Sequence, residues 1–410
     1  MIQPLHDIRV LGVTVFLAGP FLCMNLARLG AEVIKVEVPG RGDPVRGNGP
    51  FAGPRGVHAT PQTEDDIATK FLKRTQGVKS ITLNLKHAEG RALFLELAKQ
   101  SDVIIENLAP GSMRRLGLGY DDVSAVNPAI IYCSISGYGQ SGPYAHQPAH
   151  DPQIQGMGGM MDVNGEPDGP PTRVGIYVSD LVTPMFSAYA ILAALRHKEQ
   201  TGQGQHLDAS MMDTLATLMF MEPLEEAIAE GLPLRTGNDS RGGPTGLYHT
   251  KDSEVIITVA SEDQWQKLCR ALEMPEWQDD SRFNSGENRT TNLTALRQAI
   301  QQRIGQLTRA EAVERFEKAD VPCAPVRTAA EVMADPQLAK RGTLRAMRHA
   351  KLREPVEGGV TVGFPILFSG QPLPDLPGAP TLGMHNQEIF SKLLGLNEAR
   401  LQQLKSQGVV

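Results

Sequence analysis

His150-Asp151-Pro152 is the stretch of this sequence with the clearest chemical potential. A carboxylate followed by proline reads as the entry to a helix, Asp capping and Pro taking the first helical position. The helix N-terminus favours the ionised carboxylate, and a carboxylate nucleophile must be ionised. In most proteins such an Asp only caps. Two neighbours argue for more. The glycine-rich turn Ser134-Ile-Ser-Gly-Tyr-Gly-Gln-Ser-Gly-Pro143 precedes it, leaving a predicted strand at its carboxyl end, where α/β sites gather. Gly156-Met-Gly-Gly-Met-Met161 follows, and its glycines allow close approach by a large ligand.

Other acids and bases carry weaker signals. His150 adjoins Asp151, Asp180 opens an apolar helix as a natural cap, and Glu262-Asp263 opens another. Arg114-Arg115 is either a phosphate contact or a solvated pair, and Arg241-Gly242-Gly243-Pro244 is a turn or a flexible glycine lid. Gly40-Arg-Gly42 begins a dinucleotide-like G-x-G-x-x-G, but Val45 takes the last glycine's place. No P-loop, G-x-S-x-G or H-E-x-x-H occurs. Cys23, Cys133, Cys269 and Cys323 lie far apart, so neither a zinc site nor a disulfide framework is expected, and no metal is expected.

The elements that must position these groups alternate. Ile8 to Phe16 reads as a buried strand, Gly19-Pro20 opens a helix that Gly30 closes, and Glu32 to Val38 is the next strand. Helix His87–Gln100, strand Asp102–Glu106, helix Tyr120–Asn127 and strand Ala129–Ser136 continue the rhythm. Such alternation implies a parallel sheet. Segment 39–78 breaks it with Gly, Pro, Arg and Thr and no apolar period, which reads as a surface excursion or lid. A long apolar helix, Ser179–Gln200, leads to strand His206–Ala209. From Leu224 the pattern changes to a hairpin (Leu247–Thr250, Glu254–Ala260) and three helices, the last opening with the capping box Thr308-Arg-Ala-Glu311. Strand-like Val360–Phe368 and a polar helix finish the chain.

Composition sets the frame. The 410 residues suggest two or three domains at about 150 residues each. With 40 Lys and Arg against 46 Asp and Glu, the net charge of −6 argues against nucleic acid or an anionic membrane as partner. No apolar run reaches the roughly 18 residues that would span a bilayer, and the protein is read as soluble and cytoplasmic.

Taken in order, the segments resemble the class III coenzyme A transferases, the CaiB/BaiF family that includes formyl-CoA transferase-like enzymes. The match runs through Leu17-Ala-Gly-Pro20, Leu29 to Glu37, Lys79 to Lys86, Asp102-Val-Ile-Ile-Glu-Asn107, Pro110-Gly111, Arg115-Leu-Gly-Leu-Gly119, Ile131 to Pro143, Leu195 to Gln205 and Val321 to Val326. The resemblance implies an α/β fold: a Rossmann-like large domain with a parallel sheet, and a smaller α+β domain, in an interlocked homodimer. The domains are then 1–224, the N-terminal part of the CoA-binding large domain; 225–330, the small domain; and 331–410, returning to the large one.

It further implies transfer of CoA from an acyl-CoA thioester to a carboxylic acid, a small dicarboxylate by analogy, through an aspartyl-CoA thioester on Asp151. CoA is part of the substrate, with no tightly bound cofactor. Leu17, Ala18, Asn107 and Leu108 match positions that touch it; Lys79 and Arg115 are offered to its phosphates. Ser136 stands where some members have Lys, and helps make the pocket polar. Gly242 and Gly243 are expected to close over intermediates that water would destroy. The family's basic run is reduced here to Thr75-Gln-Gly-Val-Lys79, and Val38 replaces an Arg found in some members. The alternative is the sister branch of α-methylacyl-CoA racemases, with His150 and Asp180 as acid and base and Glu262 from the smaller domain.

Overall fold

Six strands form one parallel sheet: β1 (Arg9–Val13), β2 (Glu32–Glu37), β3 (Lys79–Thr82), β4 (Val103–Glu106), β5 (Ile131–Ser136) and β6 (Gln205–Ser210). Their spatial order is β3-β2-β1-β4-β5-β6, every neighbouring pair parallel. The structure is a computed structural model and describes residues 3–410. The central strands are apolar because both faces are covered; Val-Ile-Ile-Glu of β4 is buried throughout. This strand order reverses between β1 and β4, and a ligand crevice is expected at their carboxyl ends.

Helices α1 (Ala18–Arg28), α2 (Ala88–Lys99), α3 (Tyr120–Val126), α4 (Asp151–Met157) and α5 (Val178–Thr201) surround the sheet. The α5 helix ends at Gly202, whose φ of 72° suits glycine. By length and composition α5 could cross a membrane. It packs instead against α1, β5 and β6.

The chain divides into two compact units, one of residues 1–158, 174–221 and 336–410, the other of 159–173 and 222–335. The first unit's core joins Ile34, Ile81, Phe94 and Ile104 to Ile389, Phe390, Leu404 and Val409 near the carboxyl terminus. The second holds the antiparallel strands β7 (Gly246–His249), β8 (Glu254–Ile257) and β9 (Cys323–Pro325) in that order. Its core stacks Trp265 on Trp277 at 6.4 Å, with Phe283 and Phe316 buried beside them. The capping box forms: Thr308 N donates to Glu311 Oε2 at 2.7 Å.

Segment 39–78 departs from the expected open excursion. It folds into three short strands, Phe51–Gly53, Gly56–His58 and Ile67–Ala68, with helix Thr69–Arg74. Val45, Phe51, Ile67, Phe71 and Leu72 are buried against Met347, Val356 and Ala379. Its apolar residues are too scattered to show a period, and their partners lie nearly 300 residues away. The late strand is also shorter than expected, Val360–Val362.

Candidate active site

The loop from β1 into α1 stands at the carboxyl end of β1, where the strand order leads one to expect the crevice. Asn107, directly after β4, accepts from Val15 N at 2.8 Å and donates to Val15 O at 3.0 Å, tying the two strand ends together. A Cβ on Gly19 would lie 2.7 Å from Thr14 and 2.8 Å from Asn107 Oδ1, so only glycine fits. Lys35, 1% exposed, pairs with Asp43 at 2.9 Å and also donates to Thr14 O. Asp43 in turn accepts from Phe16 N at 3.2 Å, helping hold Phe16 at a φ of 64°, a strained value for an aromatic residue.

Leu17 and Ala18 are buried at the start of α1. Leu108 is half-buried, its N donating at 2.9 Å to Glu106, whose carboxyl burial pushes up to about 7. Arg115 is exposed beyond β4 and donates to Ser112 Oγ at 3.0 Å. Ser136 closes β5; its buried hydroxyl has no hydrogen-bond partner among the described residues. These residues all belong to the switch-point end of the sheet.

Lys79 does not. It begins β3, at the amino end of the sheet, and its ammonium is spanned between Glu32 at 2.8 Å and Glu388 at 2.6 Å. Two carboxylates already use its charge, so it is corrected from a phosphate contact to a structural one. Lys86, exposed in the turn that follows β3, stands at the end where Lys79 was expected. It stands four residues past the end of β3.

Asp151 and Asp180 lie close enough to interact electrostatically, yet their surroundings are opposite. Asp151 is 1% exposed at the start of α4. Its Oδ1 accepts from both the N and the hydroxyl of Ser179 at 2.7 Å, and its Oδ2 accepts from Gln155 Nε2 at 2.6 Å. Gln155 is itself fixed, donating to Ile176 O at 3.1 Å and accepting from Val174 N at 2.8 Å. A carboxylate so enclosed braces the start of α5, with three of its roughly four lone-pair sites taken. The nucleophile expected at Asp151 thus falls on a carboxylate that is 1% exposed and held by three hydrogen bonds.

Asp180, in the first turn of α5, is half-buried and has no hydrogen-bond partner among the described residues. Burial, and after it the charge of Asp151, push its carboxyl up to about 6, while Arg74 pulls it back. Arg74, whose charge acts on Asp180, is a residue the sequence reading passed over. It donates to Phe16 O at 2.9 Å, and burial holds its guanidinium below the ordinary value against the pull of Asp180 and Asp43. His150 is exposed and meets Phe16 edge-on, ring centroids 6.0 Å apart.

Two expected groups belong to the second unit. Glu262 pairs with Arg289 at 2.6 Å. Gly243 takes a φ of 76° with open space where a Cβ would stand, while a Cβ on Gly242 would meet Thr290 at 3.2 Å. The cysteines are unpaired; burial raises Cys23 and Cys323 to about 11 and Cys133 and Cys269 to about 12, which leaves them unreactive. Among the described residues no group of His, Cys, Asp and Glu is placed to hold a metal.

Comparison with known proteins identifies the family. The sequence profile of CoA-transferase family III matches residues 5–386. Succinyl-CoA:glutarate CoA-transferase of Mus musculus is 33% identical over 411 residues, covering 100% of this chain and 90% of that protein. Acetyl-CoA:oxalate CoA-transferase of Acetobacter aceti is 37% identical over 384 residues, covering 92% and 93%. The crystal structure of a CAIB/BAIF family protein from Brucella suis superposes with a TM-score of 0.83 at 34% identity, covering 96% of this chain and 100% of that one.

Proposed function

The chain belongs to CoA-transferase family III and is a CoA-transferase; we propose that it moves CoA between an acyl-CoA thioester and a small dicarboxylic acid with Asp180 as nucleophile. The observation that carries the assignment is the contrast between two neighbouring carboxylates, Asp151 engaged in three hydrogen bonds and Asp180 in none among the described residues. Asp180 is raised toward 6, so at neutral pH it is ionised and more basic than an ordinary aspartate.

In this reading an Asp180 oxygen attacks the donor thioester carbonyl, the C–S bond breaks, and CoA leaves as thiolate from a mixed anhydride. The thiolate attacks the aspartyl carbonyl and the donor acid leaves as carboxylate, giving aspartyl-CoA. The acceptor carboxylate then displaces the thiolate, and the thiolate takes the acyl carbonyl of the new anhydride, freeing Asp180. No net proton moves, so the site needs countercharge more than a base. Arg74, held by Phe16 O, suits the carboxylates that enter and leave. Relatives named for glutarate and oxalate support a dicarboxylate.

CoA, carried as substrate without a tightly bound cofactor, lies at Leu17, Ala18, Asn107, Leu108 and Ser136, with Arg115 and Lys86 toward its phosphates. The Gly242-Gly243 segment keeps the role of a mobile closure. The large domain binds CoA. The protein is a cytoplasmic, interlocked homodimer in this reading. Exposed Met185, Tyr189 and Leu192, spaced i, i+4 and i+7 along α5, give such a dimer an apolar face to cover. The test is mass spectrometry of enzyme quenched during turnover: a CoA adduct, or an 18O label from acceptor carboxylate, must sit on the peptide carrying Asp180. Deuterium uptake at the acyl α-carbon from heavy water without an acceptor acid would instead support the epimerase.

A further inference from the structure

A second cavity, of about 290 Å³, lies in the first unit between the end of α1 and the 361–376 segment. None of Arg74, Asp151 or Asp180 lines it. No carboxylate lines it, and its charged side chains are all guanidinium groups. Arg28, Arg341 and Arg345 contribute guanidinium groups, and Gln76 and Thr361 contribute an amide and a hydroxyl.

Three features of these donors need explanation. Arg28 is only 5% exposed, yet its partners are Val362 O, Asn25 Oδ1 and the Met24 sulfur, with no carboxylate among them. Burial, and then the like charge of Arg345, push its guanidinium down to about 10. A buried cation without a counterion is costly. Gln76 and Thr361 are 5% and 4% exposed, and both Gln76 Nε2 and Thr361 Oγ1 are buried without a hydrogen-bond partner among the described residues. Native proteins rarely leave such groups unmet. Arg345 has Asp375 as its ion-pair partner, and Arg341 donates to Pro365 O at 3.4 Å.

The remaining wall is apolar, with Phe364, Ile366, Leu367 and Phe368 along it. A ligand that satisfies both halves has an acceptor-only anionic head and a hydrocarbon body, which excludes inorganic anions and neutral alcohols. The volume corresponds to on the order of ten water-sized volumes, room for a chain of about six carbons. We propose that this cavity is a second binding site, separate from the catalytic one, for a small organic carboxylate with an apolar tail, its head among Arg28, Arg345, Gln76 and Thr361 and its tail along the Phe364–Phe368 wall.

The test is isothermal titration calorimetry of the full chain with hexanoate, using 1-hexanol and inorganic phosphate as controls. Hexanoate is expected to bind while both controls do not. Affinity should fall at least tenfold in Thr361→Val and in Arg345→Gln, two positions less exposed to folding failure than Arg28. It should stay within twofold in Arg74→Gln, and turnover of Arg345→Gln should stay near wild type. Absence of hexanoate binding, affinity unchanged in both cavity variants, binding lost only in Arg74→Gln, or equal binding of phosphate would each overturn the proposal.

Discussion

Ser179 grips Asp151 twice, through its backbone N and its hydroxyl, both at 2.7 Å from Oδ1. The next residue, Asp180, is thereby set at the opening of α5 with its own carboxylate unbonded. One acid fastens the helix, and its neighbour makes no hydrogen bond among the described residues.

The two acids should therefore separate by mutation. Asp180→Asn is expected to lower kcat at least about 10³-fold with the fold intact. Asp151→Asn presents an amide where Ser179 and Gln155 donate, and is expected to cost about 1–3 kcal/mol of stability, with a smaller loss of rate. Steady-state kinetics beside urea unfolding of both variants checks this. Equal rate losses in the two, with equal stability, would return the nucleophile to Asp151.

The pH profile should report Asp180. With its carboxyl near 6, activity rises as pH increases through about 6 and then levels. Because Arg74 pulls that value down, Arg74→Gln should move the rising limb to higher pH. A limb that does not move would remove Arg74 from the site.

Stability carries the opposite signature. Asp180's folded value lies above its unfolded one of 3.8, so its favourable contribution is full below about 4 and is lost as pH rises through about 6. Asp180→Asn, which cannot ionise, should then be more stable than wild type at pH 7.5, on the order of 2 kcal/mol. The gain should vanish near pH 4. Urea unfolding at the two pH values measures it.

The two lysines flanking β3 give a positional test. Lys79→Ala breaks ion pairs to Glu32 and Glu388 and should leave KM for acyl-CoA within twofold. Lys86→Ala should raise that KM several-fold, more at low salt than at high salt. The reverse result would place CoA at the other end of the sheet.

The strands were legible because their signal is local: runs such as Val103-Ile-Ile and Ile131-Tyr-Cys need no partner to be read. The same held for the Thr308–Glu311 capping box. The distinction between Asp151 and Asp180 was not local. Gln155 stands four residues from Asp151 on one helix face, a spacing the sequence displays, but the Ser179 contact spans 28 residues and arises only when α4 meets α5. Lys79 and Lys86 lie on one recognisable motif, and which end of the strand faces the crevice depends on the direction of the whole sheet. Segment 39–78 was misread for a related reason: Phe51 and Phe71 find their cover in Met347 and Val356.

The first unit is assembled from three stretches of chain, with Ile389, Phe390 and Val409 sealing the core beneath Ile81 and Phe94. During synthesis, then, the crevice-bearing sheet emerges from the ribosome long before its last cover does, while the 222–335 stretch has all its own strands in hand. Until Ile389, Phe390 and Val409 are in place, the apolar flank they cover, Ile81 and Phe94 among it, stands open to water.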